Sequence, residues 1–297
     1  MRRFGVVGLT VLGALAVSAS LASTAIGEYK ITELPQLGRC VKVTTPKTGE
    51  WTGSHCQQHV ATTKGEYEFL QGPGPGGKNK FEAHLDALVE GSPVPLRTDN
   101  AANKILCTVG LTIPEAGTDE YTGAKSLKEK LVMQGCALAS THQSCTSEFG
   151  TPQKETEITL SAEGTLGFTK IGKEPKAGWD LVGIADEIVC GAPGETNPVV
   201  KDKLSGSVIA PVTPLALMTL ESFLTYRAVA GTGKQIPEKF VGEPQDVLTS
   251  TIEPVTIPPT SASVEQTALV GKETFENEEE LEVKVLCIDS VTKKPCT

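Results

Sequence analysis

Between Glu155 and Val212 the chain is a succession of short apolar segments cut by glycine and proline. That pattern suits strands far better than helices. The segments Glu157–Leu160, Thr165–Ile171, Trp179–Ile184, Asp186–Cys190 and Leu204–Ile209 are each too short for a stable amphipathic helix, and they are rich in β-branched residues. Turn signals stand between them at Glu163-Gly164, Lys176-Ala-Gly178 and Ala192-Pro-Gly194. An antiparallel meander is expected, with Cys190 projecting from its middle.

The same grammar runs through the rest of the chain. Arg39–Val43, Gly65–Leu70, Lys104–Val109, Ser222–Val229 and Leu281–Ile288 read as strands, and Gly72–Gly77 as an irregular loop. Phe81 to Val89 alternates, but Phe81, Leu85 and Leu88 also fit one helix face. Ser126–Glu129 resembles a helix capping box with Gly135 as its stop, yet it runs into the short span from Cys136 to Cys145, which favours a strand entering a hairpin. Glu253–Thr260, with three prolines, should be extended as polyproline or a sheet edge. Thr146–Glu155, polar and holding Gly150 and Pro152, is the one candidate internal boundary in the first half. The expected fold is all-β: an antiparallel sandwich or barrel-like domain over 26–297, with structural disulfides.

Residues 1–25 read as a secretory signal peptide: Arg2 and Arg3, an apolar run from Phe4 to Leu21, then small Ser23 and Ala25 before the cut. Nothing after residue 26 is long and apolar enough for a membrane span. With Arg2 and Arg3 removed, 25 basic residues face 36 acidic ones, a net charge of −11. Such a chain repels phosphate backbones, so nucleic acid is not expected as a partner.

All eight cysteines lie after the leader, and in an oxidising compartment an even count favours disulfides, although eight permit 105 pairings. Short spacing suggests Cys40 with Cys56, Cys136 with Cys145, and Cys287 with Cys296. Cys107 is then left for Cys190, a long-range staple onto the meander.

Candidate chemistry is sparse. Gly72 to Lys78 has the spacing of a phosphate loop, but Asn79 replaces the hydroxyl that holds magnesium, and Pro73 and Pro75 delete backbone donors. His55-Cys56 with His59, and His142 with Cys145, have metal-site spacings, yet both cysteines are better disulfide partners. Ser290 and Lys293 echo a penicillin-binding motif in the wrong chain order, and no Gly-x-Ser-x-Gly elbow occurs. The run Glu276 to Glu280 reads as a solvated turn guarding the final strand. No metal or cofactor is therefore expected.

The most suggestive pattern is aromatic. Glu50-Trp51-Thr-Gly53 and Glu120-Tyr121-Thr-Gly123 echo one another, and Tyr67 and Trp179 also sit beside acidic and glycine positions. Rings with neighbouring carboxylates could stack on sugars; they could equally cap the core at strand ends.

Gly38–Val43, Gly65–Phe69, Glu120–Lys125, Gly135-Cys136, Cys145, Gly164–Gly167, Cys190-Gly191, Gly206–Ile209 and Gly233–Gln235 together resemble a group of exported, β-rich bacterial proteins of unknown function. Phe69 stands where that group leads one to expect tryptophan, and Cys287 and Cys296 are additional. The resemblance implies export and β architecture, and no catalytic residues. The expected role is a secreted, non-enzymatic structural or interaction protein of the cell envelope or extracellular space. A carbohydrate-binding module using Trp51, Tyr67, Tyr121 and Trp179 is the alternative, and a secreted hydrolase comes third. Expected partners are a cell-wall polymer, a polysaccharide or another envelope protein.

Overall fold

The computed structural model describes residues 35–56, 58, 60, 64–112, 119–148, 156–171, 174–192, 198–255 and 261–285. In chain order the strands are β1 (Gln36–Lys42), β2 (Tyr67–Gln71), β3 (Phe81–Asp86), β4 (Val94–Thr98), β5 (Ile105–Cys107), β6 (Val109–Thr112), β7 (Glu120–Tyr121), β8 (Ser126–Gln134) and β9 (Ala137–Leu138). They continue with β10 (Ser144–Thr146), β11 (Ile158–Lys170), β12 (Lys176–Gly191), β13 (Val200–Thr213), β14 (Thr219–Ala228), β15 (Gln235–Ile236), β16 (Leu248–Pro254), β17 (Ser263–Leu269) and β18 (Gly271–Lys284). The all-β expectation holds, and Ser126–Gln134 is a strand rather than a helix.

Every pairing is antiparallel, and the pairings close two rings. One ring runs β3, β6, β8, β11, β12, β13, β14, β18 and back to β3. The other runs β12, β13, β16, β17, β4, β5, β9, β10 and back to β12. The architecture is thus two eight-strand barrels sharing the long β12–β13 hairpin. Closure matters physically, because a closed ring leaves no row of unpaired backbone groups along an edge.

The shared hairpin explains a difference from the sequence expectation. Five short segments were expected in the meander, but the first two merge into the 13-residue β11 and the next two into the 16-residue β12. Glu163-Gly164 and Lys176–Gly178 lie within strands, not at turns. Gly164 serves close approach instead: a Cβ there would lie 2.5 Å from Cγ of Leu127 on β8. Gly183, with φ +76°, sits in a bulge where the β12–β13 register shifts between Leu181 and Ile184. On one side of that bulge the pair belongs to the first barrel, and on the other to the second.

Alternation places the core. Phe81, Ala83 and Leu85 of β3, Leu127 and Leu131 of β8, Leu166 and Phe168 of β11, and Leu224 and Tyr226 of β14 are buried on the interior face. The acidic run is not a turn. Glu276, Glu278 and Glu280 form the exposed face of β18, which begins ten residues before the expected strand at Leu281. Polar Glu273 and Asn277 at interior positions hide that strand's alternation from a sequence reader.

Cys40 pairs with Cys56 as expected. The other two bridges exchange partners: Cys107 joins Cys136 and Cys145 joins Cys190, in place of 136 with 145 and 107 with 190. Cys136 and Cys145 are indeed neighbours across β9 and β10, since the Cys145 N–H donates to the Cys136 carbonyl at 2.9 Å. Each thiol instead meets the strand on its other side: Cys145 stands opposite Cys190 in the β10–β12 register, with Cα separations of 4.1 Å there and 3.9 Å between Cys107 and Cys136. The consequence is mechanical. In the second barrel β5 meets β9 through two residue pairs and β9 meets β10 through one, and the two disulfides flank that thin stretch of the ring, one across β5 and β9 and one across β10 and β12. Cys287 and Cys296, the leader, His59, Ser290 and Lys293 lie outside the described residues, as do residues 149–155 of the expected boundary. On either side of that boundary, β8 and β11 pair from Ile158↔Met133 to Thr165↔Ser126. Among the described residues no helix is long and apolar enough to cross a membrane.

Candidate functional site

The four aromatic candidates are not brought together as a surface platform. Tyr121 and Trp179 are buried in the first barrel, where a Phe275–Phe81–Tyr121–Trp179 series has ring centroids 4.4, 5.0 and 6.0 Å apart. Trp51 is also buried. It lies across a single bridge from half-buried Tyr67, and its face carries the Lys284 ammonium at 3.6 Å. Burial of large rings outweighs display here, since each stabilises the interior by about 1.5–3 kcal/mol.

Lys284 is itself nearly sealed from water. Its Nζ donates to the Cys56 carbonyl at 3.0 Å, faces Phe69 at 4.5 Å and pairs with Glu282 at 3.6 Å. Burial pulls the lysine's pKa down while Glu282 pushes it back up. The cage fastens the loop of the Cys40–Cys56 bridge to the end of β18, and so has a structural explanation.

Three groups of buried carboxyls carry the largest electrostatic perturbations. In the first barrel Glu129 of β8 and Glu273 of β18 point into the interior. The Tyr226 hydroxyl donates to Glu273 at 2.6 Å, and the Tyr121 hydroxyl donates to Asn277 at 2.8 Å. Neither Glu129 oxygen makes a hydrogen bond of good geometry, and Glu273 is the carboxyl close enough to share its proton. Burial, then the Glu273 charge, holds the Glu129 pKa well above the usual carboxylate range. Burial raises Glu273 as well. Two ions here would cost several kcal/mol each, so burial and mutual repulsion oppose ionising both carboxyls.

Asp202, inside the second barrel, accepts from the Ser250 hydroxyl at 2.9 Å, and Thr267 donates to Ser250 at 2.7 Å. Burial pushes the Asp202 pKa up to about 6, with Glu265 and Asp186 adding to the rise. Asp180 lies on the outer face beneath the segment that follows β15. Burial first, then the charge of Asp246, raises its pKa to about 7. Gln235 fixes that segment by accepting from the Ile209 N–H and donating to the Ser207 and Asp246 carbonyls. Carboxyls with displaced pKa values suit acid–base chemistry when a substrate can reach them. Glu129, Glu273 and Asp202 are 4%, 0% and 4% exposed, inside barrels packed with side chains.

The phosphate-loop spacing at Gly72–Lys78 is occupied by the chain itself: the Gly74 N–H donates to a Glu279 oxygen, and Lys78 lies 3.6 Å from the same carboxylate. No group of three or more histidine, cysteine or acidic side chains is placed to hold a metal ion among the described residues. His55 keeps a buried, unpartnered Nδ1 beside the Cys40–Cys56 bridge.

One open, mainly apolar groove was missed by sequence reasoning. It holds about 600 Å³ between the start of β12 and the ends of β11, β13 and β14, with Pro211, Leu215, Ile236 and Pro237 forming its walls and Lys170, Lys176, Arg227 and Glu174 at its rim. β13 and β14 pair only at Val212↔Leu224 and Thr213↔Phe223. The next residue of β13, Pro211, has no N–H with which to extend a ladder. Farther along, β14 takes β15 as its neighbour, at Arg227↔Ile236 and Ala228↔Gln235. The strands part and the groove opens between them. The only signals in the sequence were Pro211, Pro214 and Pro237, which mark interruptions without showing that they meet. No family model, curated protein or solved structure matches the chain.

Proposed function

We propose that the protein is exported and serves the cell envelope or extracellular space as a rigid, non-enzymatic interaction module. The observation that carries this reading is the contrast between braced, closed barrels and buried acids: Glu129, Glu273 and Asp202 lie inside the packed interiors, and Asp180 on the outer face is covered by the segment after β15. Three disulfides at residues far apart in sequence suit an oxidising milieu. Burial of Trp51, Tyr121 and Trp179 withdraws support from stacking on sugars through those rings, so a polymer partner would have to use other surfaces.

The test is expression of the whole chain in a secretion-competent bacterial host. The exported product is expected to begin near Ile26, to bind cell-wall or envelope preparations in a sedimentation assay, and to show no turnover of glycoside, ester or peptide substrates. Retention in the cytoplasm with free thiols at Cys107, Cys136, Cys145 and Cys190 would refute export. Turnover abolished by Glu129→Gln or Glu273→Gln would refute the non-enzymatic role.

A further inference from the structure

The groove beside β13 and β14 is chemically out of character with the rest of the molecule. The chain carries a net charge of −9, yet three cations and one carboxylate stand at the rim of this groove. Lys170 and Lys176 are directly opposite each other in the β11–β12 register, an arrangement in which like charges repel. Arg227 projects from β14 on the side opposite buried Leu224 and Tyr226, and pairs in register with Ile236 of the groove wall. None of the three makes a hydrogen bond or ion pair among the described residues, whereas Lys201, Lys203 and Lys234 each have an acidic partner.

The floor calls for a different part of the same ligand. Pro211, Leu215 and Pro237 offer apolar surface, and Ile236 is 45% exposed against it. Among the described residues no aromatic side chain lines the groove, which offers no stacking surface for sugars there. Its volume lies within the range of small-molecule sites. The wall is fixed before any ligand arrives, because Gln235, next to Ile236, makes its three hydrogen bonds to β13 and to the segment after β15. Pre-formed walls reduce the ordering cost of binding.

We propose that this groove binds a free amphipathic organic anion from solution: a short aliphatic body against Pro211, Leu215, Ile236 and Pro237, and a single carboxylate among Lys170, Lys176 and Arg227. A neutral apolar molecule leaves the three cations without a counter-charge. A cationic one is repelled. Nucleic acid would forgo the apolar floor and meet the overall negative charge. The site is independent of the envelope role, since neither its walls nor its charges depend on where the protein resides.

Calorimetry on the purified, oxidised protein tests this with decanoate, decanol and decyltrimethylammonium, each below its aggregation limit. Decanoate is expected to bind about tenfold or more tighter than either other probe. Lys176→Glu/Arg227→Glu should weaken decanoate by about tenfold or more and leave decanol within about twofold. The remote control Lys201→Glu/Lys203→Glu alters net charge equally and should leave decanoate within about twofold. Unchanged thermal midpoints confirm that the exposed substitutions leave the fold intact. The proposal is overturned if decanoate does not bind, if it binds no better than decyltrimethylammonium, or if the remote pair weakens it as much as the rim pair. Sedimentation with phosphatidylglycerol vesicles in the absence of decanoate binding would assign the groove to a membrane surface and overturn it too.

Discussion

Replacing Asp202 by asparagine should make the protein more stable at pH 8 and leave it nearly unchanged at pH 4. Asp202 is 4% exposed; one oxygen accepts from Ser250 and the other, Oδ1, has no partner. Its pKa rises from 3.8 to about 6, chiefly through burial. The folded protein therefore holds a proton that the unfolded chain has already released. The stabilisation from this raised pKa is full below about pH 4 and is lost as pH climbs through 6. The rise from 3.8 to about 6 corresponds to about 3 kcal/mol between the low-pH and high-pH limits. Asparagine mimics the protonated acid: its oxygen can accept from Ser250, and its amide replaces the unpartnered O–H. Urea unfolding of both proteins with disulfides intact, at pH 4 and pH 8, isolates the effect, because pH-independent costs of the substitution cancel. The stability gap should move by about 2–2.5 kcal/mol in the variant's favour between those pH values, because at pH 4 the unfolded carboxyl is already partly ionised. A gap that stays constant, or shifts the other way, would refute the assignment of a buried, neutral Asp202.

Other perturbations test the architecture. Peptide mapping of unreduced protein should recover Cys107 with Cys136 and Cys145 with Cys190, and Cys145→Ala/Cys190→Ala should lower stability by about 4 kcal/mol on the loop-entropy account for a separation of 45 residues. Lys284→Met removes the partner of buried Glu282 and should cost about 3–5 kcal/mol at neutral pH, measured by denaturant unfolding. Gly167→Val should destabilise by about 1–3 kcal/mol, since even a Cβ would fall 2.4 Å from the Phe240 ring; restoration by Phe240→Ala in a double-mutant cycle would locate the clash.

Strand identity was legible because it is a local property. β-branched segments at β11, β12 and β13, and the strand at Ser126–Gln134, follow from pattern and context within a few residues. Boundaries were less so: Gly164 and Gly178 look like turns in one dimension and prove to be places where neighbours approach closely. The site was the least legible part, since the groove joins residues from 170 to 237 through strand divergence, and three of the four aromatics chosen by type, Trp51, Tyr121 and Trp179, are buried.

By itself the sequence determined the all-β class, the Cys40–Cys56 bridge and a net negative charge, and it gave the expectation of export. Only tertiary structure decided that the strands close two barrels, that Cys107 meets Cys136 and Cys145 meets Cys190, and which acids are buried. The physical reason is one of range. Backbone preference and alternation act between near neighbours, whereas ring closure, thiol partnership and desolvation depend on which distant strand comes to lie alongside.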